Sequence, residues 1–501
     1  MQNIQSVHGD SGAYGYSNDG DISLECYTIP MGTEIKQTQF TAEAWSRFSA
    51  RLAQETALLE VCYRSGKCSQ HPPVGGFEIE SWLLESSMRP TGKNVAFLEH
   101  LDSDLATYEL ATFNFELNNT PLPLRGSVFG RFREEMLSLS QHATAVAEEM
   151  GIRLLNIGTL PTLKQSDLCI ANMSPMKRYH ALNEQVLRER NGRDIVLDIA
   201  SDKAHLTLSH SSMMMESATT SFQIHTQVPY DKAHHYYNAS ILASAATVAL
   251  SANAPLLFGK QLWHETRIPL FEQSVDTGEG LKRVSFGSGF ARESIMECFT
   301  ENLEKYDILL PIQFDSEAGK FEHLQLHNGT IWRWNRPLVG FDGDGTAHFR
   351  IEHRVMPSGP TLVDMLANAA FYYGLEIKLA EACEAGEFAC DFDTAEENFY
   401  AAAREGLESR VQWRGEELPV RQLILEQLLP LAREGLEILG IDASESATYL
   451  SIIEERAQTA QNGAAWQLAY LARYGEDMER LTHAYWQHQQ RGNPVHTWEI
   501  A

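Results

Sequence analysis

Basic residues are scarce in this chain of 501: 40 lysines and arginines stand against 67 aspartates and glutamates, a net charge of -27. So anionic a surface repels phosphate backbones and acidic lipid, which argues against a general nucleic-acid binder or a membrane partner. No apolar run reaches the roughly 18 residues read as a membrane-spanning helix. The first 30 residues show no basic start followed by an apolar stretch. A cytoplasmic protein is the expectation. Cysteines are few and odd in number: Cys26, Cys62, Cys68, Cys169, Cys298, Cys383 and Cys390. Scattered in this way they read as free thiols rather than a disulfide framework, with Cys62 and Cys68 the closest pair and a regulatory disulfide the alternative. Also missing are the GxxxxGK[ST] and GxGxxG runs, the G-x-S-x-G elbow and the H-E-x-x-H helix, so P-loop, Rossmann, serine-hydrolase and zincin chemistry have no support. A nucleotide would have to be held through metal ions.

What is present is enough apolar material, 43% of residues, for a large core. Residues 1–38 read as a loop-rich extension, and 41–64 as a helix with Thr41 as N-cap and Phe48, Leu52, Leu58, Leu59 and Val61 at helical spacing. Strands are predicted at 77–84, 108–117, 153–158, 205–208, 220–228, 283–286, 331–334 and 347–356, and helices at 129–150, 175–190, 231–251 and 360–382. Several strands carry polar residues at alternate positions. That pattern predicts an α+β fold, an open antiparallel sheet with one polar face and helices behind the other. Beyond about 395 the Ala-, Glu- and Leu-rich composition predicts a helical region with a breaker near Pro430. Three parts are expected: an extension and helix over 1–70, a catalytic domain over 71–385, and a helical region over 386–501.

Five segments carry chemistry. In Gly75-Gly76-Phe77-Glu78-Ile79-Glu80-Ser81 two glutamates project from one strand face, their Cα atoms about 6.5 Å apart. Carboxylates that close repel unless a cation lies between them, and hard oxygen ligands suit magnesium or manganese. A solvent-facing acidic edge strand would look the same. Asn114, Glu116 and Asn118 share a face of the next strand, with Glu109 at its start, and Gln223, His225 and Gln227 share a face of another. Arg267, after Trp263-His264-Glu265-Thr266, is expected in a loop where it either grips a phosphate or carboxylate or makes a surface salt bridge. In His348-Phe349-Arg350-Ile351-Glu352-His353-Arg354 a carboxylate is flanked by two guanidiniums, as a surface ladder or as a metal ligand beside a phosphoryl-neutralising Arg354. The stretch 272–282, around Asp276, Gly278 and Gly280, is expected as a flexible surface loop, with a lid the alternative.

In order along the chain these segments resemble the glutamate–cysteine ligase type 2 family, carboxylate–amine ligases of the glutamine-synthetase-like superfamily. Gly76-Phe77-Glu78-Ile79-Glu80 is similar to its Gly-x-Glu-x-Glu strand, and Glu109 to Glu116 to its second acidic strand. Gly158-Thr159-Leu160-Pro161, Arg178-Tyr179, Ser221 to Gln227, Ser251 to Pro255, Glu265-Thr266-Arg267 and Arg350 to Arg354 complete the series. The resemblance implies a sheet folded into a funnel and an ATP-dependent ligase that forms a γ-glutamyl amide through an acyl phosphate. It implies two or three Mg2+ ions, or Mn2+, with ATP phosphates on them, and small-molecule partners: an acid, glutamate, and an amine such as cysteine. Glu78, Glu80, Glu116 and Glu352 match metal positions. His225, Gln223 and Arg350 are the candidate cofactor-binding residues, and Arg354 and Arg267 the candidate catalytic ones. Many members carry His-x-His where this chain has Gln223-Ile224-His225. The rival expectation is a catalytically silent nucleotide sensor or scaffold of the same fold.

Overall fold

The computed structural model describes residues 40–278 and 280–500, so the expected loop-rich extension falls outside the described residues. The main sheet is built from β1 (Val74–Leu84), β2 (Ala106–Tyr108), β3 (Asn114–Asn118), β4 (Leu122–Pro123), β5 (Arg153–Leu155), β6 (Ser221–Val228), β7 (Asn335–Phe341) and β8 (Ala347–Pro357). Its order is β7-β8-β6-β1-β3-β2, with β4 and β5 also paired to β1, and every pairing is antiparallel.

Alternation decides which side of the sheet is dry. Phe77 and Ile79 of β1, Phe222 and Ile224 of β6, and Ile351 of β8 are all buried. Each such side chain contributes roughly 1.5–3 kcal/mol by leaving water, which offsets the cost of crowding charges on the other face. Helices α1 (Ala42–Arg64), α2 (Ala233–Ser251), α3 (Arg267–Ser274), α4 (Leu362–Glu384), α5 (Leu429–Ile438) and α6 (Met478–Arg491) are the ones that matter below. α2 and α4 are buried almost throughout and cover the rear of the sheet. There His353 stacks on Tyr372 with ring centroids 4.1 Å apart and meets Thr247 Oγ1 at 2.9 Å, while Tyr373 OH donates to the Gly76 carbonyl at 3.0 Å. The architecture is the expected α+β one.

Thr41 caps α1 by accepting from Ala44 N at 3.3 Å, and Phe48, Leu52 and Leu59 are buried, whereas Val61 is 60% exposed. The same helix carries a buried Glu55, which meets His323 Nδ1 at 2.8 Å and accepts from Leu324 N at 3.0 Å, fastening α1 to the body.

Several expectations need correction. The stretch 108–117 is broken by a turn between β2 and β3, so Glu109 is not on a strand. Residues 283–286 and 331–334 supply only a short parallel pairing, Val284–Ser285 with Trp332–Arg333, outside the main sheet. β7 and the strand Ile195–Ala200, which pairs with His205–His210, were not anticipated. The region after 385 is mostly helical, as expected, but includes the hairpin Arg410–Trp413 with Glu416–Pro419. Pro430 breaks nothing. It lies inside the unbroken helical run Val420–Ile438, directly after a π-helical turn at Ile424–Leu428, and that wider turn accommodates the missing N–H.

α5 crosses α4 at backbone contact. A Cβ on Gly374 would lie 2.1 Å from the Ala432 carbonyl oxygen, and one on Gly435 only 1.8 Å from that of Gly374. No helix of the described residues is long and apolar enough to cross a membrane. Cys62, Cys68, Cys169, Cys298, Cys383 and Cys390 are free thiols.

Candidate functional site

Strand register assembles the polar floor. Arg336, Glu352, His225 and Gly76 form one row across β7, β8, β6 and β1. Gln223, Glu78 and Asn118 form the next, and Glu80 stands opposite Glu116, itself opposite Thr107.

Two groups of donors result. In the first, donor atoms of Glu78, His225 and Glu352 lie within 4.8 Å of one another, with His225 Nε2 3.1 Å from Glu78 Oε1 and 3.9 Å from Glu352 Oε1. Glu352 is 1% exposed and is gripped in a fork by Arg336, Nε to Oε2 and Nη2 to Oε1, each at 2.8 Å. Burial alone would raise its pKa; Arg336, Arg354 and His225 instead hold it at about 2. Glu78 is likewise kept below the usual range against burial, chiefly by the His225 imidazole. Carboxylates that stay ionised in a dry site are ready ligands.

In the second group Glu80, Glu109 and Glu116 bring carboxylate oxygens within 4.8 Å of one another. Glu80 accepts from Ser221 N at 2.7 Å, Ser221 Oγ at 2.6 Å and Gln223 Nε2 at 2.9 Å, and Glu116 accepts from Thr107 Oγ1 at 3.1 Å and Asn118 Nδ2 at 2.9 Å. These bonds do not suffice. Burial, and then mutual repulsion, push Glu109 and Glu116 well above the carboxylate range, and burial raises Glu80 too. Glu216, nearby in the turn Met213–Ala218, is pushed up to about 8 by burial and by Glu80. The set has more negative charge than its protein surroundings neutralise, which is the deficit a dication fills. Hard oxygen donors fit Mg2+ or Mn2+, and the imidazole in the first group is tolerated by Mn2+. Gln223 keeps a buried Oε1, and His225 a buried Nδ1, without a hydrogen-bond partner.

The cations differ in role. A bulge sets Arg354 and Val355 of β8 opposite the single residue Gln223 of β6, and it turns the Arg354 guanidinium toward Glu352, Nη1 to Oε2 at 3.5 Å. Its Nε is buried without a partner, as is that of Arg350. The Arg350–Glu352–Arg354 row is therefore no surface ladder. Arg267 is not in a loop. It opens α3, is 2% exposed, pairs with Glu265 at 3.1 Å, and donates to the Arg354 carbonyl at 3.2 Å and to the Val355 carbonyl. The start of the expected loop, Glu272 to Ser274, belongs to α3, and Glu272 accepts from Trp334 Nε1 at 2.9 Å and Tyr400 OH at 2.7 Å; Glu279 lies outside the described residues.

Sequence reasoning gave no site role to three residues of this floor, although Glu109 stood in the second acidic segment. Glu109 reaches it from a turn, Glu216 from an irregular 3-10 turn, and Arg336 from a strand disguised by Pro337 and Gly340.

The family model described as Glutamate-cysteine ligase family 2 matches residues 76–493. Among solved structures the fold is similar to glutamate–cysteine ligase from Francisella tularensis in complex with AMP, with a TM-score of 0.50 and 12% identity over 86% of this chain and 90% of that one. It is similar also to a bifunctional glutathione synthetase from Pasteurella multocida, with a TM-score of 0.51 and 10% identity over 87% of this chain and 55% of that one. A search of curated protein sequences finds no match.

Proposed function

The chain belongs to glutamate-cysteine ligase family 2, which places it among ligases of the γ-glutamyl type, and on that premise we propose that it couples glutamate to an amine, such as that of cysteine, at the expense of ATP. The observation that carries this reading is the pairing of two donor sets on one sheet floor, Glu78–His225–Glu352 and Glu80–Glu109–Glu116, with Arg350 and Arg354 beside them. Mg2+ held by those donors would neutralise charge on the phosphoryl group in transit.

A γ-carboxylate oxygen of glutamate attacks the terminal phosphorus of ATP, the bond to the β–γ bridging oxygen breaks, and ADP leaves. The amine then attacks the acyl carbon, phosphate leaves, and the amine loses a proton. Arg354 supplies positive charge to the phosphoryl oxygens through a guanidinium whose Nε is uncommitted. Arg267 acts through Arg354: it ties the Arg354 and Val355 carbonyls and so fixes where that guanidinium points. Arg336 leaves Glu352 ionised and oriented. Gln223 orients Glu80 with one end of its amide and offers the other to nucleotide or metal-bound water.

The test is phosphate release from ATP with Mg2+, glutamate and a panel of amines including cysteine, with product masses. Release that requires both acid and amine, with a product equal in mass to their sum less water, is the expected result. No release with any pair, alongside intact folding and nucleotide binding, overturns it in favour of a silent sensor or scaffold.

A further inference from the structure

Behind Glu80 lies a polar junction that the chemistry above does not use. β5 ends at Leu155, and the next residue, Asn156, turns its side chain onto β1. Asn156 Nδ2 donates to Ser81 Oγ at 2.7 Å, to Ser358 Oγ at 3.1 Å and, more weakly, to the Glu80 carbonyl at 3.4 Å. Ser358 Oγ donates to that same carbonyl at 2.6 Å. The peptide that carries the Glu80 carboxylate is thus held from behind, while Ser221 and Gln223 hold the carboxylate in front.

Asn156 is in turn gripped by α6, in the C-terminal helical region. Its N–H donates to Gln489 Oε1 at 3.1 Å, and its carbonyl accepts from Gln489 Nε2 at 2.9 Å and Tyr485 OH at 3.0 Å. The glutamine amide pairs with both backbone groups of Asn156, as a neighbouring strand would. Asn253 ties the same corner, its Nδ2 donating to the Ser358 carbonyl and to Tyr485 OH, each at 2.8 Å. Gly359 leaves the room this requires: its φ is +84°, and a Cβ there would lie 2.3 Å from the Asn156 carbonyl oxygen.

We propose that Asn156 is a positioning residue that transmits the docking of α6 to Glu80 and thereby sets the geometry of the Glu80–Glu109–Glu116 donor set. The inference rests on the reading of that set as a divalent-metal site. Fixing a main-chain carbonyl fixes the direction of its own Cα–Cβ bond, and ligand-orienting hydrogen bonds of this kind are worth about 10–100-fold in metal affinity. A role confined to tying β5 to β1 would involve the same bonds but would be indifferent to the Glu80 carboxylate.

The experiment is a Mn2+ titration, read by electron paramagnetic resonance, of the wild type, Asn156→Ala, Glu80→Gln and the double variant. We expect Asn156→Ala to weaken Mn2+ binding about 10-fold, with no further loss when it is added to Glu80→Gln, and Gln489→Ala to weaken it in the same direction. Wild-type affinity in Asn156→Ala would overturn the inference. So would an equal loss in both backgrounds, because the residue would then act elsewhere. If Asn156→Ala does not fold, Ser358→Ala, which removes one donor from the Glu80 carbonyl, goes through the same cycle with the same two outcomes. A wild-type protein that binds no Mn2+ sinks the metal reading and this inference with it, whereas wild-type binding with unaffected variants sinks only the inference.

Discussion

Replacing Arg336 with Met tests whether the buried charges of the floor are balanced as described. The substitution keeps volume and removes both halves of the fork on Glu352, leaving a carboxylate that is 1% exposed with Arg354 only at 3.5 Å. Breaking a buried pair in this way costs about 3–5 kcal/mol. With an unfolding entropy of about 2.1 cal/mol/K per residue, a chain of 501 residues should lose roughly 3–5 °C in melting temperature at pH 7. The sign with pH follows from the depressed pKa. The stability that Glu352 contributes is present above its unfolded pKa and is lost as pH falls from about 4.5 toward 2. In the variant Glu352 titrates higher, so protonation relieves the stranded charge and the gap to wild type should narrow between pH 7 and pH 4.5. Thermal melts in EDTA, which keeps stray metal from masking the charge, measure both effects. An unchanged melting temperature at pH 7, or a gap that does not vary with pH, would refute the reasoning.

Glu78→Gln should abolish ligase turnover while leaving the melting temperature within a few degrees of wild type; turnover at saturating Mg2+ would remove Glu78 from the donor set. Apparent Mg2+ affinity should rise from pH 6 to pH 8, because Glu109 and Glu116 are raised well above the usual range without metal and must shed protons to bind it; calorimetry in buffers of different ionisation enthalpy detects those protons, and a pH-independent affinity would contradict the assignment. Arg267→Lys keeps a charge but cannot span Glu265 and two carbonyls, so kcat should fall about 100-fold through misplacement of Arg354; kinetics within a factor of two of wild type would show that Arg354 is held by other means. Gly374→Ala sets a methyl 2.1 Å from a carbonyl oxygen and should destabilise by about 3 kcal/mol; an unaffected melting temperature would mean that the helix crossing can open.

The parts of the floor legible in sequence were those where strand period and chemistry coincide. Glu78 and Glu80, Gln223 and His225, and Arg350, Glu352 and Arg354 sit two apart in strands, with Ile79, Ile224 and Ile351 among the residues between them, and the sheet sets them on one face. Glu109 was read as the start of a strand and given no role, because a turn has no period to read. Arg336 was hidden because proline and glycine, its neighbours at 337 and 340, interrupt the pattern although β7 pairs with β8 along its whole length. Arg267 looked like a loop residue because it follows the break at Ser251 to Pro255, yet it opens a helix whose Pro269 lies in the first turn, where a proline forfeits no hydrogen bond. The hairpin at 410–419 lies in a stretch whose overall composition favours helix, where two short strands leave little trace. Which arginine is bound to backbone and which is uncommitted depends on contacts between elements distant in sequence, and local pattern carries none of that.

The glycine crossing of α4 and α5 has a mechanical meaning. Side chains between two helices can rotate and absorb a displacement, whereas two backbones in contact have nothing between them to yield. A push on α5 must therefore move α4, and with it Tyr373, whose hydroxyl holds the Gly76 carbonyl two residues from Glu78. Whatever presses on the C-terminal helices is felt, undamped, at the strand that carries the first carboxylates of the floor.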